Sequence, residues 1–121
     1  MVITIHLAGG QMILILRGDS MIRGTTPKLE FVLPFDTSLI AEMYITITQN
    51  GVATLEKSLS DCNCSGTSVS LTLTQEDTLG LRQQPRSQGE MQIRVRTTAG
   101  EALASDIMSV HVGRILKEGV I

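Results

Sequence analysis

Apolar and polar residues alternate along most of this chain with a period of two, which is typical of half-buried β-strands. The segment from Glu42 to Leu59 reads EMYITITQNGVATLEKSL and places two alternating runs around Asn50-Gly51. Asparagine and glycine tolerate the positive φ angles of a two-residue type I′ turn. The segment therefore predicts a β-hairpin with strands near residues 42–49 and 52–59.

Similar runs recur elsewhere and predict further strands at residues 2–7, 12–16, 28–33, 67–73, 90–97 and 102–112. The last strand is expected to bend near Ser105-Asp106. Two short helical turns should interrupt the strands, one capped near Asp36 and one at residues 75–81, where Thr74 and Asp77 have capping-box spacing. Residues 60–66 and 82–89 are predicted to be loops.

About seven to nine short strands separated by regular turns predict an all-β fold. The pattern favours an immunoglobulin-like antiparallel β-sandwich with one short crossover helix and an N-terminal strand arm.

The first twenty residues differ from the rest because residues 12–16, MILIL, are apolar on both faces of a strand. Such a strand needs cover on both sides, and a neighbour's sheet edge can supply it. We therefore divide the chain into residues 1–20, an upstream extension or an assembly arm, and residues 21–121, the sandwich domain. Deleting residues 1–20 is expected to abolish assembly and to leave the sandwich folded.

Composition and charge narrow the classes of partner. The chain has 121 residues and three aromatic side chains, so it offers few stacking faces for sugars or single-stranded nucleic acid. Its net charge of -2 provides no basic field for phosphates, and nucleic acid is not an expected partner. The apolar runs are too short to span a bilayer, so a membrane partner is not expected either.

Candidate catalytic and metal-ligating residues are few. Cys62 and Cys64 lie too close together for an unstrained disulfide, and with His6 and His111 they lack the usual spacing of zinc ligands. Arg-Gly-Asp at residues 17–19 is interpreted as turn chemistry. Since no nucleophile elbow, carboxylate pair or phosphate loop is present, we predict no enzyme, no cofactor and no metal site.

Four segments carry a family resemblance: MIRGTTPKLEFVLPF, IAEMYITITQNGVATLEKSL, LTQEDTLGL and GEMQIRVRTTAGEALASDIMSVHVG. Across about residues 21–115 the chain resembles small structural proteins encoded by bacteriophage and prophage genomes. More loosely, it is similar to the N-terminal β-sandwich of phage upper baseplate proteins. The resemblance implies a virion protein without catalytic residues, made in the host bacterial cytoplasm. It also implies a homo-oligomer, or a subunit that docks onto other phage structural proteins.

The expected interface residues lie in the arm, on one strand face and in the tail, residues 113–121. They are Met12, Ile13, Leu14, Ile15, Leu16, Arg94, Arg96, Ile115, Leu116, Val120 and Ile121. A tail or baseplate adaptor is the favoured function. A capsid decoration protein, a receptor- or carbohydrate-binding module and a small cytoplasmic regulator remain alternatives.

Overall fold

The computed structural model of the protein describes residues 2–8, 11–17, 21–82 and 88–121. Within these residues the chain forms eleven strands, one α-helix and two 3-10 turns. The strands are β1 Val2–Ala8, β2 Gln11–Arg17, β3 Met21–Ile22, β4 Lys28–Val32, β5 Ile40–Gln49, β6 Val52–Ser58, β7 Asn63–Ser65, β8 Ser68–Thr72, β9 Gln88–Thr97, β10 Ala102–Ala104 and β11 Met108–Gly113. The helix α1 is Gln75–Leu79, and the 3-10 turns are Thr37–Leu39 and Leu59–Asp61.

The strands form two sheets. The first has the order β2-β1-β4-β8-β7, and the second has the order β3-β11-β9-β5-β6, with β10 also paired to β9. Helix α1 lies between β8 and β9 and so connects one sheet to the other. The predicted all-β sandwich with one short crossover helix is therefore confirmed.

Two details differ from the sequence-based prediction. The strands outnumber the expected seven to nine because β3, β7 and β10 have only two or three residues and carry no alternation signal. Strand β7 lies within residues 60–66, which were predicted to be a loop. The pairs β1/β4 and β3/β11 are parallel, whereas the other pairs of named strands are antiparallel. Of the predicted loop at 82–89, residues 83–87 lie outside the described residues.

The core is built from inward-facing side chains of both sheets, and most of them are aliphatic. Phe31 on β4 is fully buried, as are Ile93 on β9 and Leu29 on β4. On β5, Met43, Ile45 and Ile47 are buried, as the alternation predicted. Burial of one such side chain stabilises a fold by about 1.5–3 kcal/mol.

The turn and the helix caps that the sequence predicted are present in the structure. Asn50 and Gly51 have φ angles of 54° and 76°, which confirms the predicted hairpin turn. The Thr74 hydroxyl accepts a hydrogen bond from the Asp77 backbone N–H at 3.1 Å, and the Asp77 carboxylate accepts one from the Thr74 N–H at 3.0 Å. These reciprocal bonds confirm the capping box at the start of α1. Asp36 likewise caps the first 3-10 turn by accepting from the Ser38 N–H at 2.9 Å.

Strands β1 and β2 belong to the sandwich, so the boundary drawn at residue 20 is wrong. Strand β1 pairs with β4, and Ile3, Ile5 and Met12 are almost completely buried in the shared core. The two-faced apolar pattern was read as a strand outside the domain. Instead, Met12 of that pattern is buried in the core. Residues 1, 9, 10 and 18–20 of the predicted arm lie outside the described residues.

The predicted bend near Ser105-Asp106 is confirmed as the break between β10 and β11. Ser105 is buried, and its hydroxyl accepts from the Ile93 N–H at 2.9 Å and donates to the Asp106 carbonyl at 2.8 Å. These bonds satisfy polar groups that the break would leave unpaired. At the same point the Asp106 N–H donates to the Met12 carbonyl at 3.1 Å, which joins β2 of the first sheet to the second sheet.

Candidate assembly surfaces

The described residues contain no group of three or more His, Cys, Asp or Glu side chains that could hold a metal ion. His6 and His111 are exposed. Cys62 and Cys64 are free, and burial raises the pKa of the Cys62 thiol to about 11, so this thiol is protonated at neutral pH. The candidate sites of this protein are surfaces of the sandwich and of its tail.

The β2 edge, defined as the outer side of Gln11–Arg17, is the first candidate. Its sequence is QMILILR, with no charged residue before Arg17. The inner side of β2 pairs with β1 along its whole length, from Val2↔Arg17 to Ala8↔Gln11. On the outer side, the bonding described for this strand is confined to Met12, which bridges to Ser105.

The five predicted arm residues therefore differ in their positions. Met12 is fully buried, so its assignment to an interface is corrected: it belongs to the core. Ile13 is 39% exposed and faces away from the core. The backbones of Leu14, Ile15 and Leu16 pair with β1, and their side chains lie outside the described residues.

Strand β6 is the longer of the two outer strands of the second sheet, and its sequence VATLEKS is more polar than that of β2. Lys57 forms an ion pair with Asp77 of α1 at 3.2 Å. Partial burial raises the pKa of Asp77, but hydrogen bonds from Thr74 and Lys57 outweigh burial and leave this pKa below its usual value. Charged side chains on an edge strand oppose pairing with another chain, so β6 is a protected edge.

The predicted arginine face lies on the outer side of the second sheet. Arg94 and Arg96 are both exposed on β9, as the alternation predicted. Arg96 pairs with Glu42 at 3.3 Å, and Tyr44 lies opposite Arg94 in the register of β5 and β9. Together with Ala102 these residues line a shallow cleft of about 160 Å³. An exposed ion pair of this kind contributes little to stability, and a contact role for this face stays a prediction.

An apolar groove lies at one end of the sandwich and was not predicted. It has a volume of about 200 Å³ and is lined by Leu7, Phe35, Leu39, Thr97, Thr98, Ala99, Glu101 and Leu103. Leu7 and Leu39 are 50% and 47% exposed. We call this surface the open-end groove. Its lining residues come from segments far apart in sequence, so no single run of residues signalled it.

The opposite end is closed by Arg23. Its guanidinium donates to the carbonyl of Leu81 at 2.8 Å, to that of Leu79 at 3.2 Å, and to the carboxylate of Glu118 at 2.8 Å. Arg23 thereby connects β3, the C-terminal end of α1 and the tail. The Arg-Gly-Thr-Thr segment was noted in the sequence, but this role depends on residues more than fifty positions away.

The tail, residues 113–121, runs over this closed end. Gly24 has a φ of +74°, and a Cβ atom there would lie 2.9 Å from the Cδ1 atom of Ile115. Ile115 thus contacts its own chain and is partly buried. Gln75 fixes Ile121 by two hydrogen bonds, donating to its carbonyl at 3.1 Å and accepting from its N–H at 2.9 Å.

The other predicted tail residues are open to solvent. Leu116 and Ile121 are both 90% exposed, and Val120 is 55% exposed. The tail backbone is therefore held in place while these three apolar side chains remain uncovered.

No family model, curated protein or solved structure matches this chain. Among the described residues no helix is long and apolar enough to cross a membrane.

Proposed function

We propose that this protein is a non-enzymatic structural subunit that assembles through the β2 edge, and that it serves in a phage virion as a tail or baseplate adaptor. The observation that supports assembly is the contrast between β2 and β6, the two longest of the four edge strands. The β2 edge is long, apolar and bonded on its outer side only at Met12 within the described chain. Strand β6 carries charges and is tied to α1 through Lys57.

The physical reason is that an uncharged edge strand presents a row of backbone N–H and C=O groups to a second strand. Each ladder hydrogen bond contributes about 0.5–1.5 kcal/mol net. Added apolar contact from residues such as Ile13, which is half exposed, strengthens the association. A partner strand added beside β2 would therefore cover a surface that β6 does not offer.

The resemblance supports the phage part of the proposal. Its segments contain the hairpin turn, the capping box and Arg23, all of which have defined structural roles in this fold. The virion location rests on the resemblance alone.

The assembly step is tested with one edge variant and one matched control. Ile13→Lys places a charge on β2, and Val52→Lys places the same charge on exposed β6. In sedimentation velocity we expect the wild type and Val52→Lys to form the same oligomer and Ile13→Lys to form a smaller species. If Ile13→Lys assembles like the wild type, the β2 edge is not the contact.

The virion location is tested by quantitative mass spectrometry of purified particles from the producing strain. A copy number equal to one or a few rings of subunits supports a tail or baseplate adaptor. A copy number near that of the major capsid protein would identify a decoration protein instead. Absence from particles would refute the virion proposal and favour a cytoplasmic regulator.

A further inference from the structure

The two ends of the sandwich carry complementary apolar surfaces. Strands β1 and β4 run in parallel toward the open-end groove, and β11 runs antiparallel to β9 toward the opposite end. The tail follows β11 and lies over the closed end, where Arg23 and α1 hold it. One end therefore has an apolar cavity, and the other has an apolar projection.

The tail is pre-organised to bind. Two polar attachments hold its backbone: Arg23 contacts Glu118, and Gln75 contacts Ile121. Leu116 nevertheless stays 90% exposed. A segment that is already ordered loses less conformational entropy on binding. More of the free energy gained by burying its apolar side chains therefore remains as binding affinity.

The groove matches such a side chain in size and character. Its volume of about 200 Å³ admits branched aliphatic side chains, and Leu7, Phe35, Leu39 and Leu103 supply the apolar lining. The charges are complementary as well. Glu101 is the charged residue that lines the groove, and Lys117 directly follows Leu116 in the tail. Glu118, which would repel Glu101, is already paired with Arg23.

We propose that Leu116 and its neighbours in the tail of one copy dock into the open-end groove of a second copy, so that copies join head to tail. This inference rests on the proposed self-assembly and names a second contact for it. The two surfaces differ, so the contact is heterologous. Such a contact closes into a ring when the rotation per subunit permits closure, and extends into a filament when it does not.

The test uses two full-length variants that each disable one half of the contact. Leu116→Asp removes the tail anchor and keeps the groove, whereas Leu39→Asp spoils the groove and keeps the tail. Both side chains are exposed, so thermal unfolding followed by circular dichroism should be unchanged. In sedimentation velocity each variant alone should associate at least about tenfold more weakly than the wild type.

An equimolar mixture of the two variants is the decisive sample. The intact tail of Leu39→Asp can enter the intact groove of Leu116→Asp, so the mixture should form a complex that contains both variants and should associate more strongly than either variant alone. Val52→Asp, at an exposed apolar residue outside both surfaces, is the control and should associate like the wild type.

The outcomes separate this inference from the β2-edge proposal. Loss of association in both single variants with recovery in the mixture supports the head-to-tail contact. Wild-type association in either single variant, no complex in the mixture, or a monomeric wild type would overturn it. If only Ile13→Lys abolishes association, the β2 edge stands and the head-to-tail contact falls. If only the tail and groove variants abolish association, the head-to-tail contact stands and the β2-edge contact falls.

Discussion

The two long hairpins of the molecule are similar in form but differ in how they join the sandwich. Strand β1 of the N-terminal hairpin pairs with β4 through three parallel residue pairs, from Val2↔Glu30 to Thr4↔Val32. Strand β5 of the central hairpin pairs with β9 through a ladder that extends from Ile40↔Thr97 to Thr48↔Glu90. Each hairpin therefore lies at one end of its sheet, but the central hairpin is joined to its sheet along a longer ladder than the N-terminal hairpin is.

The outer strands of these hairpins, β6 and β2, differ in how well each is protected against pairing with another chain. Strand β6 carries Glu56 and Lys57 and is anchored to α1. Strand β2 is apolar up to Arg17 and reaches the second sheet only at Met12 within the described chain. The hairpin with the weaker attachment thus has the edge better suited to pairing with another chain. A new neighbour beside β2 would stabilise the hairpin as well as connect two subunits.

The largest expected effect comes from removing the N-terminal hairpin. Deleting residues 1–20 removes the buried side chains Ile3, Ile5 and Met12, each of which contributes about 1.5–3 kcal/mol. Their combined loss is comparable to the whole stability of a domain, about 5–15 kcal/mol. Urea denaturation of residues 21–121 should show no cooperative transition. A cooperative transition with the wild-type midpoint would show that residues 1–20 are an arm that the sandwich does not need in order to fold.

Single core truncations compare the two hairpins directly. Ile45→Ala in β5 and Ile5→Ala in β1 remove equally buried side chains, and each should cost about 2–5 kcal/mol. The cost should be larger for Ile45, because Ile45 is paired with both β6 and β9, whereas the described β1/β4 ladder ends at Thr4 and leaves the position of Ile5 freer to relax. Urea unfolding gives both values. Equal losses would mean that the two hairpins are equally rigid parts of the core.

The turn of the central hairpin gives a smaller effect. Gly51 has a φ of +76°, and a Cβ atom there would meet nothing within 4 Å. Gly51→Ala should therefore cost about 1–2 kcal/mol from backbone strain alone. Gly51→Asn is the matched control and should cost less, because asparagine tolerates this conformation. Similar melting temperatures for both variants would show that this turn does not limit the stability of the hairpin.

The smallest effect concerns the ion pair that anchors β6. Because the pKa of Asp77 lies below its ordinary value of 3.8, its carboxylate stabilises the fold above that pH, and this contribution is lost as the pH falls through the folded-state pKa. Asp77→Asn should cost ~0.5–1 kcal/mol at neutral pH and flatten the loss of stability below about pH 4. Thermal melts across this range measure both. Glu56→Gln, at the β6 residue before Lys57, is the control and should change the stability at neutral pH by less than about 0.5 kcal/mol.

The sequence predicted the features whose causes are local. The Asn50-Gly51 turn and the Thr74 capping box each depend on a few adjacent residues. The inward and outward faces of β5 and β9 followed from alternation, which is also why Arg94 and Arg96 were correctly placed on the surface.

The candidate surfaces were predicted only in part. Residues 12–16 are apolar on both faces, so their pattern did not show which face would meet the core, and Met12 was wrongly assigned to an interface. The apolar and polar pattern also did not predict how exposed Leu116 and Ile121 are, because their exposure depends on how Gln75 and Arg23 hold the tail.

By itself, then, the sequence determined the all-β class, the main turns and the facing of the long strands, because these depend on interactions between near neighbours in the chain. Only the tertiary structure decided that β1 pairs in parallel with β4, that Arg23 closes one end, and that a groove opens at the other. Each of these features joins segments that are distant in sequence. Their positions follow from packing both sheets around one core, which no local pattern specifies.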